Sequence, residues 1–479
     1  MSKPQKFALF AIAGLAVLAA IAALLLSRVD VKARFTSLAS DATGLDVTVG
    51  GEASVQILPV PHVTLADVHF RNARSEVASV GKADVSVALL PLLHREVRIR
   101  SVSLRDVSLA LERDRSGKLN LGRGGAGHAL PAMVLPRMSL ENASLTYTNL
   151  ETEREFVAKG CKLGKGRAEI GDSTKTPHPD PRPGRQKEQN VFGRLSLTAR
   201  LTCAEMHNNM FTGTDVQTTI DGKNGVFDLK PFTMHLLDGK GTGDIHADFT
   251  KGVPTYQVHY SVAKLHMDEL LKALHSTHGG AGLLDFSTEL SMRGFDVADL
   301  TSSAQGQAMA SGTDLTLELG NLDEKFSRYE SSQNFNLIDV GAFFLAGPLG
   351  TAVTKGYNFA AVLENTEGST AVPAFVSHWK IERGVAHADD VAMATPKNRV
   401  AMRGGLDFVN RQFDDVIIAL LDDKGCSRVE QKIHGPFAKP EIEQPNVLIS
   451  LAGPVTRLLR SAKAMVGGKC EPFYTGAIR

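Results

Sequence analysis

A two-residue hydrophobic period recurs along most of this chain, with few helical stretches to cover the strands it implies. Val85, Val87 and Leu89 alternate with Ser86 and Ala88, and Val97 and Ile99 alternate with Arg98 and Arg100. Val102 and Leu104 follow, then Val107, Leu109 and Leu111, again separated by polar or small residues. Successive side chains of a strand point to opposite faces, so this pattern predicts strands with one dry and one wet face. The step from Ile99 to Val102 breaks the phase and predicts a bulge or tight turn at Arg100–Ser101. Pro59 and Pro61 mark the edge or the start of a strand, where a missing N–H costs little. The period returns in Leu195, Leu197, Ala199, Leu201 and Cys203, in Phe232, Met234 and Leu236, in Ile245–Phe249 and in Tyr256–Val262. Further strands are expected at Leu315–Leu319, Phe335–Leu337, Tyr357–Leu363, Val400–Met402, Leu406–Phe408, Val416–Leu420 and Val429–Ile433.

Helical signals are sparse. Residues 32–43 place Phe35, Leu38, Ala39 and Ala42 on one side, with Gly44 set to end the helix. Residues 264–275 form a second short pattern around Leu270, Leu271 and Leu274. Residues 446–466 predict an amphipathic helix bent near Gly453–Pro454. The strongest apolar run is Phe7–Leu26, which carries no charge. At about 1.5 Å per residue it spans about 30 Å, the thickness of bilayer hydrocarbon. Its length and the lack of a clean cleavage site favour an uncleaved anchor over a signal peptide or a buried core helix. The run GAFFLAGPLG at 341–350 is too short for a second span and is broken by Pro348.

A half-apolar sheet must bury its dry face, by pairing with another sheet or by curving over itself. The expected fold is mostly β: an elongated, strongly curved antiparallel sheet with a groove, an N-terminal transmembrane helix and a few short helices. Open apolar surface costs about 25 cal/mol per Å² in water, a cost that acyl chains remove. The groove candidates are therefore Val85, Val87, Leu89, Val97, Ile99, Val102, Leu104, Val107, Leu109, Leu111, Leu195, Leu197, Leu201, Phe232, Met234 and Leu236. Alternation alone leaves open which of them line a groove and which fill a closed core.

Catalytic motifs are missing from the sequence. It contains no G-x-S-x-G, H-E-x-x-H or Walker A pattern. Gly239, Gly241 and Gly243 lack the spacing of a dinucleotide fingerprint and read as a hairpin turn. His266, His275 and His278 are too few for a metal site, so no metal, cofactor or catalytic residue is expected. With 53 basic and 52 acidic residues the formal charge is +1, which argues against nucleic acid as a partner. Residues 122–129 read as a flexible loop, and 173–190, with four prolines, as an exposed insertion. Cys161, Cys203, Cys426 and Cys470 allow three disulfide connectivities. Proximity along the chain favours Cys161–Cys203 and Cys426–Cys470, while Cys203 also fits a buried thiol.

Two stretches carry a family resemblance. Thr43–Gly44 and Gly51, the Leu89–Pro91–Leu92–Leu93 run with the alternation after it, and the Gly117–Asn120 turn resemble the N-terminal signature of the AsmA family over residues 7–122. His94 and Asp106 depart from it. Gly435, Pro436 and Pro440 resemble a strand ending of the same family within 340–450. The resemblance implies a tip at 1–6, an anchor at 7–26, an N-terminal β domain at 27–122, a middle β region at 123–335, a C-terminal β region at 336–445 and a helical tail at 446–479. It also implies a single-pass inner-membrane protein with its bulk in the periplasm. Such a protein would be non-enzymatic, would bind or conduct phospholipid toward the outer membrane, and would meet periplasmic or outer-membrane assembly proteins. The rival readings are a structural scaffold regulating protein assembly or targeting, with its specificity in 154–190, and a hydrolase, for which no carboxylate pair or nucleophile stands out.

Overall fold

The computed structural model describes residues 31–56, 60–73, 75–88, 91, 98–115, 120, 133–151, 153–171, 192–209, 211–273, 279–318, 320–324, 326, 368–443 and 470–478. The expected anchor Phe7–Leu26, the 341–350 run, the loops 122–129 and 173–190, the strands Phe335–Leu337 and Tyr357–Leu363 and the 446–466 helix lie outside the described residues. So do Leu89 and Val97.

The chain divides into two compact units. The first comprises Met1–Leu236, Thr242–Gln257 and Arg293–Asp296. The second comprises Leu237–Gly241, Val258–Met292 and Val297–Arg479.

The first unit opens with helix α1 (Val31–Thr43). Phe35 and Ala39, one turn apart, are buried, and Gly44 ends the helix at φ 67°, its N–H bonded to the Ser40 carbonyl at 2.8 Å. Strands β1 (Asp46–Val49) and β2 (Ala53–Gln56) both pair with β3 (His62–Arg71), which starts directly after Pro61. Then follow β4 (Glu76–Val87), β5 (Ile99–Arg113), β6 (Met133–Asn149), β7 (Arg154–Ile170), β8 (Leu195–Asn208), β9 (Thr212–Lys223) and β10 (Val226–Leu236), each paired with the next. Ile99 pairs with Val87 and Ser101 with Ser86, so Arg100 is the extra residue of a bulge, as the broken phase predicts.

Two corrections follow. The sheet is mixed and not purely antiparallel, because β5 and β6 run parallel, with Val102 opposite Met138 and Arg113 opposite Asn149. Alternation looks the same in either direction; the connection decides polarity. The chain between Arg113 and Met133 must return the length of β5, about 50 Å, and extended it reaches about 60 Å. The second correction concerns the membrane. Among the described residues no helix is long and apolar enough to cross one. The expected transmembrane helix is therefore not part of the fold seen in the described residues, and the single-pass inner-membrane location that depended on it is not carried further.

The second unit continues with β11 (Gly239–Asp248) and β12 (Thr255–His266), both shared with the first, then α2 (Met267–Ala273), β13 (Gly280–Ala281), β14 (Leu283–Arg293), α3 (Val297–Ser303) and β15 (Gln305–Leu317). The tight turn before β11 is Leu237–Asp238, both at positive φ, so the three glycines lie inside the strand and not in the turn. An added Cβ at Gly239 would meet Val262 Cγ1 at 2.8 Å, and one at Gly241 would run into the Tyr260 hydroxyl. The meander ends with β16 (Thr370–Glu382), β17 (Val385–Ala394), β18 (Arg399–Asp407), β19 (Gln412–Leu421), β20 (Ser427–Pro436) and β21 (Glu441–Ile442), paired in order. Strand β16 also pairs with β15. Trp379 is fully buried within β16. The 370–394 hairpin is absent from the sequence expectations because Phe375, Val376 and Ser377 are all buried, which erases alternation.

Candidate functional site

The first unit carries one long apolar face, and the strand registers show how it is built. One row of direct partners runs Phe70, Ala78, Leu109, Leu145, Ala158, Met206, Gly213 and Leu236 across β3 to β10. A second runs Leu65, Ala83, Leu104, Leu140, Leu163, Leu201, Thr218 and Phe232. Between the rows each strand from β3 to β9 advances five residues, from Leu65 to Phe70 in β3 and from Leu104 to Leu109 in β5, for example. Plain alternation would take four. An extra residue in one strand would turn its apolar side chains to the wrong face. Inserted at the same level in every neighbour, it keeps the face continuous and bends all the strands there.

In β3, β5, β6, β7 and β9 the inserted residues have the chemistry that a left-handed backbone demands. Asp67, Asp106, Asn142, Gly160 and Asp215 all sit at φ between 50° and 60°. Asp, Asn and Gly are the residues that tolerate that region. Asn142 Nδ2 donates to Asp106 Oδ1 at 2.6 Å across the parallel pair. The sequence signal is a short repeat: LADVHF at Leu65–Phe70, LRDVSL at Leu104–Leu109 and LENASL at Leu140–Leu145. The second unit repeats it at Asp314 (φ 52°) and Asp415 (φ 45°).

The cover over this face is uneven. At one end it is closed: Val63, Leu65, Val85, Val102 and Leu111 share one core with Phe35 and Ala39 of α1, each at most 5% exposed, and Ile99, Leu104, Leu109 and Leu197 pack half-buried against that core. Val87 is also fully buried. Of the other groove candidates, Ile99, Leu104, Val107, Leu109, Leu195, Leu197, Leu201, Phe232, Met234 and Leu236 are half-buried. Val107, Leu201, Phe232 and Met234 pack around the buried Cys161–Cys203 disulfide with Ala143, Ala158 and Val216. Phe227, Phe249, Tyr256 and Phe192 form an aromatic cluster in the same unit, with ring centroids 5.1 to 5.9 Å apart, and burial pushes the Tyr256 phenol up.

The opposite face is polar. Arg105 and Lys82 flank Asp84 at 3.7 Å, and Ser139 donates to Ser103 at 3.0 Å. His207 bonded to Glu205, and His246 bonded to Asp228, hold those carboxyls below the usual range. A separate cleft of about 630 Å³ lies at the strand ends, lined by Asp114, Arg115, Thr148, Asn149, Leu150, Glu153, Arg154, Glu155 and Asn209. Its mixed charges favour no particular ligand. Among the described residues no group of three or more His, Cys, Asp or Glu side chains is placed to hold a metal. His275 and His278 lie outside the described residues.

Comparison with known protein families gives a match to the AsmA family over residues 1–161 and 182–387, most of the chain. The chain belongs to the AsmA family. The match takes in much of the middle region and stops at 387, short of the Gly435–Pro440 resemblance. No curated protein and no solved structure matches it. This AsmA-family protein is a β-sheet protein without an enzymatic role.

Proposed function

We propose that the apolar face of the first unit binds the acyl chains of phospholipid and that the protein serves cell-envelope biogenesis by carrying lipid along it. The observation supporting this reading is the two-row apolar ladder from β3 to β10, buried at one end in the core that includes Phe35 and Ala39 and half-buried from Leu104 to Leu236. Water meets such a surface at about 25 cal/mol per Å², and an acyl chain lying along the rows removes that cost without a specific polar contact. The same reading divides the groove candidates. Val85, Val87, Val102 and Leu111 serve the core, and the half-buried residues from Leu104 to Leu236 contact lipid.

A photoreactive amino acid placed in cells at Leu104, Leu109 or Leu236 is expected to capture phospholipid, while the same group at Val85 captures none. Adducts to protein alone at all three outer positions would overturn the lipid reading.

A further inference from the structure

The two disulfides sit in different surroundings. Cys161 and Cys203 are both buried, at 8% and 3% exposure. Cys426 is buried, but its partner Cys470 is exposed. Cys426 lies in the β19–β20 turn, where Asp422 Oδ1 accepts from the Lys424 and Cys426 amides at 2.8 and 2.9 Å. Cys470 begins a strap, residues 470–478, that lies across β16–β19. Phe473 and Ile478 are buried against Val376, Ala392, Ala401, Ala419 and Leu421. The small side chains of that face leave room for a chain lying flat.

The strap is clamped at both ends. At its far end Tyr474 Oη donates to Asp390 Oδ1 at 2.5 Å, and the Ala477 amide donates to Asp390 Oδ2 at 3.0 Å. Burial and the Asp390 bond push the Tyr474 phenol up, so it stays a donor. In the middle Arg403 stacks on the Phe473 ring at 4.7 Å and donates to the Pro472 carbonyl at 3.2 Å. The Tyr474 amide donates to the Gly425 carbonyl at 3.0 Å. At the near end the Cys426–Cys470 bond ties Cys470 to the same turn that accepts the Tyr474 amide at Gly425.

We propose that Cys426–Cys470 is a redox-modification site, opened by a dithiol in preference to Cys161–Cys203, and that its opening releases the strap from the β16–β19 face. Thiol–disulfide exchange needs a thiolate to reach a sulfur, and access decides which bond is attacked. The attacking thiolate bonds to the exposed Cys470 sulfur, the S–S bond breaks and its electron pair leaves on Cys426, which takes up a proton. The second thiol of the reductant then displaces Cys470 as a thiolate. The reductant ends as its own disulfide and the chain holds two thiols. Two electrons pass from dithiol to chain.

The test uses the full chain, dithiothreitol as the dithiol, and no denaturant. Thiols freed at each concentration are alkylated and located by peptide mass analysis. Cys426 and Cys470 are expected to label at dithiol concentrations about ten-fold below those that label Cys161 and Cys203. Simultaneous opening, or Cys161–Cys203 opening first, overturns the assignment. Hydrogen exchange at the Tyr474, Ala477 and Ile478 amides reads the strap and is expected to quicken about ten-fold on selective reduction. Protection that survives reduction overturns the release. Cys470→Ser gives the open form without reductant, and Asp390→Asn loosens the far clamp with the bridge intact. If the first variant fails to fold, the reduced wild-type chain carries the same readout.

Discussion

Replacing Asp106 by Val and, separately, by Gly probes the inserted level that shapes the apolar face. Asp106 sits in β5 at φ 53°. A left-handed backbone costs an L side chain roughly 1–2 kcal/mol, most for a β-branched one, and costs Gly almost nothing. At a regular strand position the order reverses, with Val favoured over Gly by up to about 1 kcal/mol. Both variants lose the Asn142 Nδ2–Asp106 hydrogen bond, so that loss cancels in the comparison. Asp106→Val is therefore expected to be about 1–2 kcal/mol less stable than Asp106→Gly. The same two replacements at exposed Ser108, two residues along in the same strand and free of positive φ, are expected to give the opposite order. Urea unfolding followed by far-ultraviolet circular dichroism measures both pairs, with unchanged m-values as the condition for reading midpoints as stability. Equal or greater stability of Asp106→Val, with the Ser108 pair ordered the same way, would refute the account of the bent face.

Two further outcomes are expected. Trp379, the chain's single Trp, is fully buried in β16 and donates from Nε1 to Ser377 Oγ at 2.8 Å. Trp379→Ala should cost about 3–5 kcal/mol in denaturant titrations, and a loss under 1 kcal/mol would show that the site collapses freely. His69 lies 2.6 Å from Glu76 and 2.9 Å from Asp67, and the Glu76 hydrogen bond raises its pKa above 6.5. A raised folded pKa gives stability that is complete below the unfolded value and lost as pH rises through the folded one. Stability should thus decline as pH climbs past about 6.5, and His69→Gln should flatten that slope; an unchanged slope would assign it to another group.

Much of the fold was legible because alternation is local. It marked β4, β5, β8 and the end of β10 in the first unit, the Arg100 bulge and the helix ended by Gly44, and it passed over β1, β2, β6, β7 and β9. The inserted level leaves a trace in the repeats ending at Phe70, Leu109 and Leu145, which has no meaning until the strand registers are seen. Leu104 and Val107 read from sequence as two separate alternations. In the sheet they share a face because Asp67, Asp106 and Asn142 shift β3, β5 and β6 by the same step.

What the sequence by itself determined is therefore where the cleanly alternating strands lie and which side of each is dry, since both follow from the two-residue geometry of an extended backbone. The tertiary structure alone decided the rest. Val85 and Leu104 look equivalent along the chain, yet the first is buried inside the core that α1 joins and the second lies half-buried against it. The parallel β5–β6 pair, the hairpin hidden by two-sided burial and the strap on β16–β19 all depend on residues far apart in sequence, whereas the two disulfides are the pairing that proximity along the chain favours. Local periodicity carries no information about which distant segment will cover a given face.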